Sequence, residues 1–285
     1  MIRKIYIFIP VLSAISFSLV LSSCQTEVPK ENVQLETETV QGDLGDQNVT
    51  YILPSPLQIA SIFKRSGLEY ISGLTNPVSN SKNYAGIFSK SLAMGVYSAD
   101  LAYGIINNQT QDALNNLKTI KDISSDLGLS SIFETETLLT RFESNMGNED
   151  SLAYIISDLQ MDMDAYLEEN EKEHLAVLIF TGAWIESMYI GSKAVSKANN
   201  QKLSNRLGEQ FIILDNLIKA LKVKQNANES IPKLITALED IKTNFDSFTK
   251  ETEETSEAII MKEEELKLLS SKVQDLRSKI IAGNL

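Results

Sequence analysis

Apolar residues recur at helical spacing along almost the whole chain after about residue 51. This spacing predicts helices over about 81–107, 110–127, 171–198 and 201–224, and a further helix that begins at Asn148. Ser131 and Glu134 form a capping-box pattern for another helix, which we expect to end near Gly147. No segment shows convincing strand alternation. The pattern therefore predicts an all-α fold, built as a multi-helix antiparallel bundle or as an array of helical hairpins.

An earlier helix should begin after Ser55, the expected N-cap, with Pro56 at its first position. One apolar face is predicted to run through Ile59, Ile62, Phe63, Tyr70 and Ile71. Asn76-Pro77 is expected to break the chain after that face.

The C-terminal part, about 229–282, carries the most regular apolar pattern. A heptad repeat runs through Ile259, Leu266, Val273 and Ile280. The same phase passes through Thr252 and Thr255, which are poor core residues. The segment is therefore either one long helix or two helices folded back at about 249–256. We favour the helical hairpin, because the two apolar stripes can then bury each other; a docking site for a partner helix is the alternative use of such a stripe.

Two helices are apolar nearly all round, which predicts that they are central to the fold. They share a frame: Gly95 and Gly104 are nine residues apart in the first, as are Gly182 and Gly191 in the second. In each helix an aromatic residue follows the first glycine by two positions, and one acidic residue lies between the glycines. The helices superpose at an offset of 87 residues, which suggests an internal duplication.

The acids of this frame, Asp100 and Glu186, lie in apolar surroundings, where a carboxylate must be paired, hydrogen-bonded or protonated. They are either polar pins, that is, buried polar contacts that hold the helices of a bundle together, or the polar groups of a small-ligand pocket between the two central helices. The residues predicted to line that pocket are Tyr97, Asp100, Tyr103, Trp184, Glu186 and Tyr189. A third interpretation, in which Leu175–Gly191 spans a membrane, is disfavoured because the segment is short and carries Glu186.

Residues 1–23 have the pattern of a secretory signal peptide, with Arg3 and Lys4 before an uncharged apolar run that ends in small residues. The sequence Leu21-Ser22-Ser23-Cys24 resembles the lipobox of bacterial lipoproteins, and the only cysteine of the chain falls on its site. The resemblance implies that the signal is cut before Cys24 and that Cys24 is acylated. The alternatives are an uncleaved transmembrane helix and a buried structural cysteine.

Residues 24–50 are predicted to be a disordered tether, because six acidic residues accompany the single Lys30 and few residues are apolar. The rest, 51–285, is predicted to be a single all-α domain. The formal charge of the 285-residue chain is −12, which argues against nucleic acid as a partner. An acylated Cys24 also leaves no disulfide, so stability must come from the apolar core.

Three segments of the chain read LPSPLQIASIF, GVYSADLAY and WIESMY. They resemble a family of uncharacterised lipoproteins found in Bacteroidota, and the resemblance covers most of the mature chain. The family has no assigned activity. The resemblance therefore implies a lipoprotein of a Gram-negative envelope and transfers no catalytic residue.

The sequence offers little for catalysis or metal binding. The single histidine, His174, excludes zinc sites built on His and Cys, and Glu171-x-x-His174 is only half of a di-iron pattern. No nucleophile elbow or phosphate-binding glycine loop is present. The acidic patch between Asp158 and Glu173 lacks the spacing of a Ca²⁺ loop and is expected to be a solvated helix face. We expect no enzymatic activity, no cofactor and no metal.

Two function hypotheses follow. The first is a membrane-anchored envelope lipoprotein whose helical domain binds another envelope protein or serves as a scaffold. The second is a small-ligand-binding protein with its pocket between the two central helices. Gln25, rather than Asp, follows the lipidated cysteine, which implies the outer membrane. We expect the domain to lie in the periplasm, and exposure at the cell surface stays open.

Overall fold

The first helix, α1 (Pro56–Arg65), begins where the sequence places an N-cap. The Ser55 hydroxyl accepts a hydrogen bond from the Gln58 N–H, and the Gln58 side chain accepts one from the Ser55 N–H. The helix ends at Arg65, and the following Gly67 adopts a φ of +95°, a left-handed conformation that glycine takes at little cost. Tyr70 and Ile71 therefore lie beyond the helix, and their predicted place on its apolar face is wrong.

The structure, a computed structural model, describes residues 54–133, 137–198, 200–248, 251–253 and 256–285. After α1, its helices are α2 (Gly86–Ile106), α3 (Thr110–Asp126), α4 (Ser130–Phe133), α5 (Thr137–Ser144), α6 (Glu149–Glu169), α7 (Glu173–Ala198), α8 (Gln201–Val223), α9 (Ile231–Ser247) and α10 (Glu263–Ile281). These helices pack against one another, so the predicted all-α fold is confirmed. All described residues belong to one compact unit, Thr37–Leu285. The predicted signal peptide 1–23 and tether 24–50, with Cys24, lie outside the described residues.

Several helix boundaries differ from the predicted ones. The helix expected from about 81 begins at Gly86, because Val78–Asn83 forms a 3₁₀ turn before it. Between Ser131 and Gly147 the described helical segments are α4 and α5; residues 134–136 between them, with the predicted capping residue Glu134, lie outside the described residues. The fifth helix does begin after Asn148, whose side chain accepts a hydrogen bond from the Ser151 N–H at 3.0 Å.

The two central helices, α2 and α7, cross where the shared frame places its first glycines. A methyl group on Gly95 would clash with the carbonyl oxygen of Ile179 and lie 2.7 Å from the backbone nitrogen of Ala183. A methyl group on Gly182 would clash with the carbonyl oxygen of Leu92 in the same way. Each glycine therefore admits the backbone of the other helix, which explains why glycine is used despite its cost within a helix.

The remaining helices surround this pair and form two apolar clusters. One cluster joins α1, α2 and α7 to α8, α9 and α10, with the fully buried Trp184 among its members. The other joins α2 to α3, α4, α5 and α6, together with Leu175 and Ile179 from the first half of α7. Because α2 and α7 contribute to both clusters, they are buried nearly all round, as their apolar composition predicts.

The C-terminal segment is two helices rather than one, and α9 packs against α10. Their connection contains two short strands, β1 (Glu251–Glu253) and β2 (Ser256–Ile260), which pair antiparallel with Glu251 opposite Ile260. The helical apolar pattern does not predict these strands. The antiparallel pairing of β1 and β2 reverses the direction of the chain between α9 and α10.

Candidate functional site

The two acids of the central helices meet in the core. Asp100 on α2 and Glu186 on α7 are both fully buried, and the two carboxyl groups are close enough for the charge of Glu186 to raise the pKa of Asp100. The glycine crossing makes this meeting possible, because it brings the two backbones closer than side chains would allow. Asp100 also accepts a hydrogen bond through Oδ2 from the backbone N–H of Asn76 at 2.9 Å.

A cation from the C-terminal helix completes the cluster. Arg277 on α10 donates from Nε to Glu186 Oε2 at 2.6 Å and from Nη2 to Glu186 Oε1 at 2.7 Å. Its Nη2 also donates to the carbonyl oxygen of Leu74 at 3.3 Å, and its guanidinium carbon lies 3.9 Å from the centre of the Tyr189 ring. The two-pronged geometry is the strong form of an arginine–carboxylate pair, and the aromatic face adds a further favourable contact.

If Asp100, Glu186 and Arg277 were all ionised, the buried cluster would carry a net charge of −1. One of the two carboxyl groups is therefore expected to bind a proton. Burial and the neighbouring charge of Glu186 raise the pKa of Asp100 well above its ordinary value of 3.8. Burial also raises the pKa of Glu186, but the Arg277 guanidinium opposes this effect. The proton therefore belongs on Asp100, which Arg277 does not contact. Oδ1 of Asp100 has no fixed donor, and a proton on it that points to Glu186 would satisfy this buried atom.

The aromatic residues predicted to line a ligand pocket here are engaged with the protein itself. The Tyr97 hydroxyl donates to the Pro77 carbonyl oxygen at 3.1 Å, and the Trp184 indole nitrogen donates to the Gln210 carbonyl oxygen at 3.3 Å. The Tyr103 hydroxyl accepts from the Ile71 N–H at 2.6 Å. All three side chains are fully buried. The arrangement fits the polar-pin interpretation of the two acids.

A cavity of about 580 Å³ lies elsewhere, between α6 and the two central helices, and none of the six predicted pocket residues lines it. Met94 and Leu101 contribute from α2, Val177 and Phe180 from α7, and Leu159 from α6. The N-terminal end of α1 closes one side, and Met161, which is 65% exposed, lies at the rim. The cavity touches both central helices, but on faces other than those that carry the six predicted residues.

The charged side chains of the cavity are all acidic. Asp164 on α6 lines the cavity, and the Gln160 amide donates to both of its carboxylate oxygens at 3.0 Å. Burial raises the pKa of Asp164 to about 6. Glu168 and Glu173 also line the cavity, whereas no Lys, Arg or His is among its lining residues. Asp164 therefore does not belong to a solvated helix face, which corrects the expectation for this part of the acidic patch.

Sequence reasoning missed two residues that matter most here. Arg277 follows Leu276 at the edge of the heptad seam, and its exposed fraction is only 7%. The signal that could have found it is the pair of buried carboxyls, which requires a cation beside an apolar stripe. Asp164 stands among other acids on α6, and nothing in the spacing separates it from its solvated neighbours.

Comparisons with known proteins add no relative: no family model, curated protein or solved structure matches this chain. Among the described residues, no group of three or more His, Cys, Asp or Glu side chains could hold a metal ion. Within the same residues, α7 alone is long and apolar enough to cross a membrane. Its most apolar window is 83% buried within the fold, as expected for a core helix.

Proposed function

We propose that this protein is a lipid-anchored protein of a bacterial envelope, at the outer membrane, whose helical domain binds an apolar small molecule in the cavity between α2, α6 and α7. The cavity carries the proposal. Ligand sites are commonly about 300–1,000 Å³ in volume and mostly apolar, with a few polar groups, and this cavity has that size and composition. An apolar cavity of only about 150 Å³ is enough to take up benzene.

The anchor rests on the lipobox-like sequence that ends at Cys24. Several acyl chains on one residue give stable attachment, since each buried methylene contributes about 0.8 kcal/mol. A protein held at a bilayer is also close to a store of apolar molecules. The anchor and the cavity are therefore compatible with one role, in which the domain takes up an apolar molecule at the membrane surface.

The role is one of binding rather than catalysis. A catalytic carboxyl group must contact its substrate, whereas Asp100 and Glu186 are fully enclosed by protein. Their contacts with Arg277 and Asn76 stabilise the meeting of α2, α7 and α10. Asp164 and Glu173 remain as titratable groups that are half-buried and line the cavity.

Mass spectrometry of the protein purified from its own envelope tests both the lipid anchor and the binding of a small molecule in the cavity. We expect acyl groups on the N-terminal peptide of the wild type and none in Cys24→Ser. Under native conditions we expect a bound small molecule, which Ala176→Phe should displace because Ala176 lines the cavity. Ala198→Phe, at an exposed position of the same helix, is the matched control. Equal ligand content in wild type and Ala176→Phe would contradict the cavity as the binding site.

A second proposal keeps the protein-binding role. Tyr154 and Met161 are each 65% exposed and lie seven residues apart, on one face of α6. These are large apolar side chains that a partner from the envelope could cover. A photo-crosslinking residue at position 154 should then capture one specific protein in intact cells, while the same residue at the exposed position 162 should not. Equal labelling at both positions would argue against this role.

A further inference from the structure

We infer that the cavity between α2, α6 and α7 selects an amphiphile with a cationic, amine-type head group and excludes fatty acids of the same length. This inference rests on the proposed function, because it specifies the ligand of the same cavity. Its basis is the charge of the lining residues and the way in which the Asp164 carboxylate is held.

The first observation is the sign of the charge. The acids Asp164, Glu168 and Glu173 line the cavity, and no lining residue is basic. Glu173 has a partner outside the lining, since Lys224 Nζ lies 3.7 Å from its carboxylate, but Asp164 has no salt bridge among the described residues. A fatty-acid head group would bring a further negative charge against these carboxylates, in surroundings that screen charge less than water does.

The second observation is the direction of the hydrogen bonds. The Gln160 amide is directed at Asp164, and the Ser98 hydroxyl, on the opposite wall, donates to the Met94 carbonyl oxygen at 2.8 Å. These donors are already used within the protein. Each Asp164 oxygen accepts one hydrogen bond from Gln160 and has capacity for another. Around Asp164 the site therefore offers acceptors to a ligand, and an ammonium group supplies three donors. Ser55, Gln58 and Ser157 also line the cavity and add hydroxyl and amide groups to its wall.

The third observation is position. Gln160 and Asp164 are one turn apart on α6, so the amide fixes the orientation of the carboxylate before a ligand arrives. Met94, Leu101 and Phe180 form apolar walls from the facing helices. A ligand with a polar head and an apolar chain satisfies both parts. At pH 8 the Asp164 carboxylate is charged, since its pKa is about 6, and an alkylamine is protonated.

The test compares three ligands of equal chain length: decylamine, 1-decanol and decanoate. They are titrated at pH 8, below their micelle-forming concentrations, into the full mature chain with Cys24→Ser, which needs no detergent. Isothermal titration calorimetry measures the dissociation constant of each ligand directly. We expect decylamine to bind at least tenfold more tightly than decanoate, with 1-decanol between them.

Asp164→Asn should reduce the preference for the amine over decanoate to less than about threefold and leave 1-decanol binding within about twofold. Asp162→Asn is the matched control, because Asp162 is exposed on the same helix and does not line the cavity. If Asp164→Asn fails to fold, the ranking of the three ligands with the wild type decides alone. Decanoate binding as tightly as decylamine would overturn the inference and leave the proposed function standing. No binding by any of the three would overturn both.

Discussion

Replacing Asp100 by Asn should stabilise the protein, and the gain should grow as the pH rises. Asn has the shape of the protonated acid. Its side-chain oxygen can accept from the Asn76 N–H, and its amide can donate to Glu186, as the proton of Asp100 does in the wild type. The change therefore preserves the hydrogen bonds of the cluster and removes the need to bind a proton there.

The magnitude follows from proton linkage. The folded wild type holds a proton on Asp100 above the ordinary pKa of 3.8, at which the unfolded chain releases it. The folded state then binds more protons than the unfolded state, so the stability contributed by this proton falls as the pH rises. The slope is about 1.4 kcal/mol per pH unit for one proton, from the unfolded pKa up to the raised pKa of the folded state.

Urea unfolding at half-unit steps from pH 5 to pH 8 measures the effect. The difference in free energy of unfolding between Asp100→Asn and wild type should increase by about 1.4 kcal/mol from pH 5 to pH 6, and further until the raised pKa is passed. Asp162→Asn serves as a control, because Asp162 is exposed on α6, away from this cluster. A difference that stays constant with pH would show that Asp100 is ionised in the folded protein and would refute the assignment of the proton.

Two further substitutions test the packing around this cluster. Arg277→Met leaves the buried Glu186 without its cation and should lower the free energy of unfolding by about 3–5 kcal/mol, measured at pH 7 by urea unfolding; a loss below about 1 kcal/mol would contradict the pairing. Gly95→Ala forces a methyl group against the backbone of α7 and should cost more than about 3 kcal/mol or prevent folding. Gly147→Ala, which meets no atom within 4 Å, should change the thermal midpoint little.

The boundaries of the helices can be predicted from the sequence more fully than the contacts of the site. Apolar spacing places α3, α7 and α8 within about two residues of their observed ends, because Gly128 and Asn200, which favour turns and caps, lie next to such ends. It fails at Tyr70 and Ile71, where the helical period continues past the real end of α1. Periodicity records which face is apolar, and a left-handed glycine can interrupt the helix without disturbing that pattern.

The site depends on long-range contacts, which spacing does not encode. The buried state of Asp100 and Glu186 is visible in their apolar surroundings, and the glycine frame indicates that their helices approach closely. The cation is not visible in this way, because Arg277 lies 91 residues after Glu186. The cavity is harder still, since its walls are ordinary apolar residues and only the packing of α6 leaves them uncovered.

The distance between Glu186 and Arg277 along the chain also means that the two residues are synthesised at different times. At a synthesis rate of about 5–20 residues per second, the 91 residues between them correspond to about 5 to 20 s. During this interval α7 has emerged while its buried carboxylate still has no counter-charge. We expect α7 to reach its final packing only when Arg277 is available, so its apolar faces stay exposed during this interval. Under the export proposed above, this delay is useful, because a chain that has not yet folded can still pass through a translocation channel.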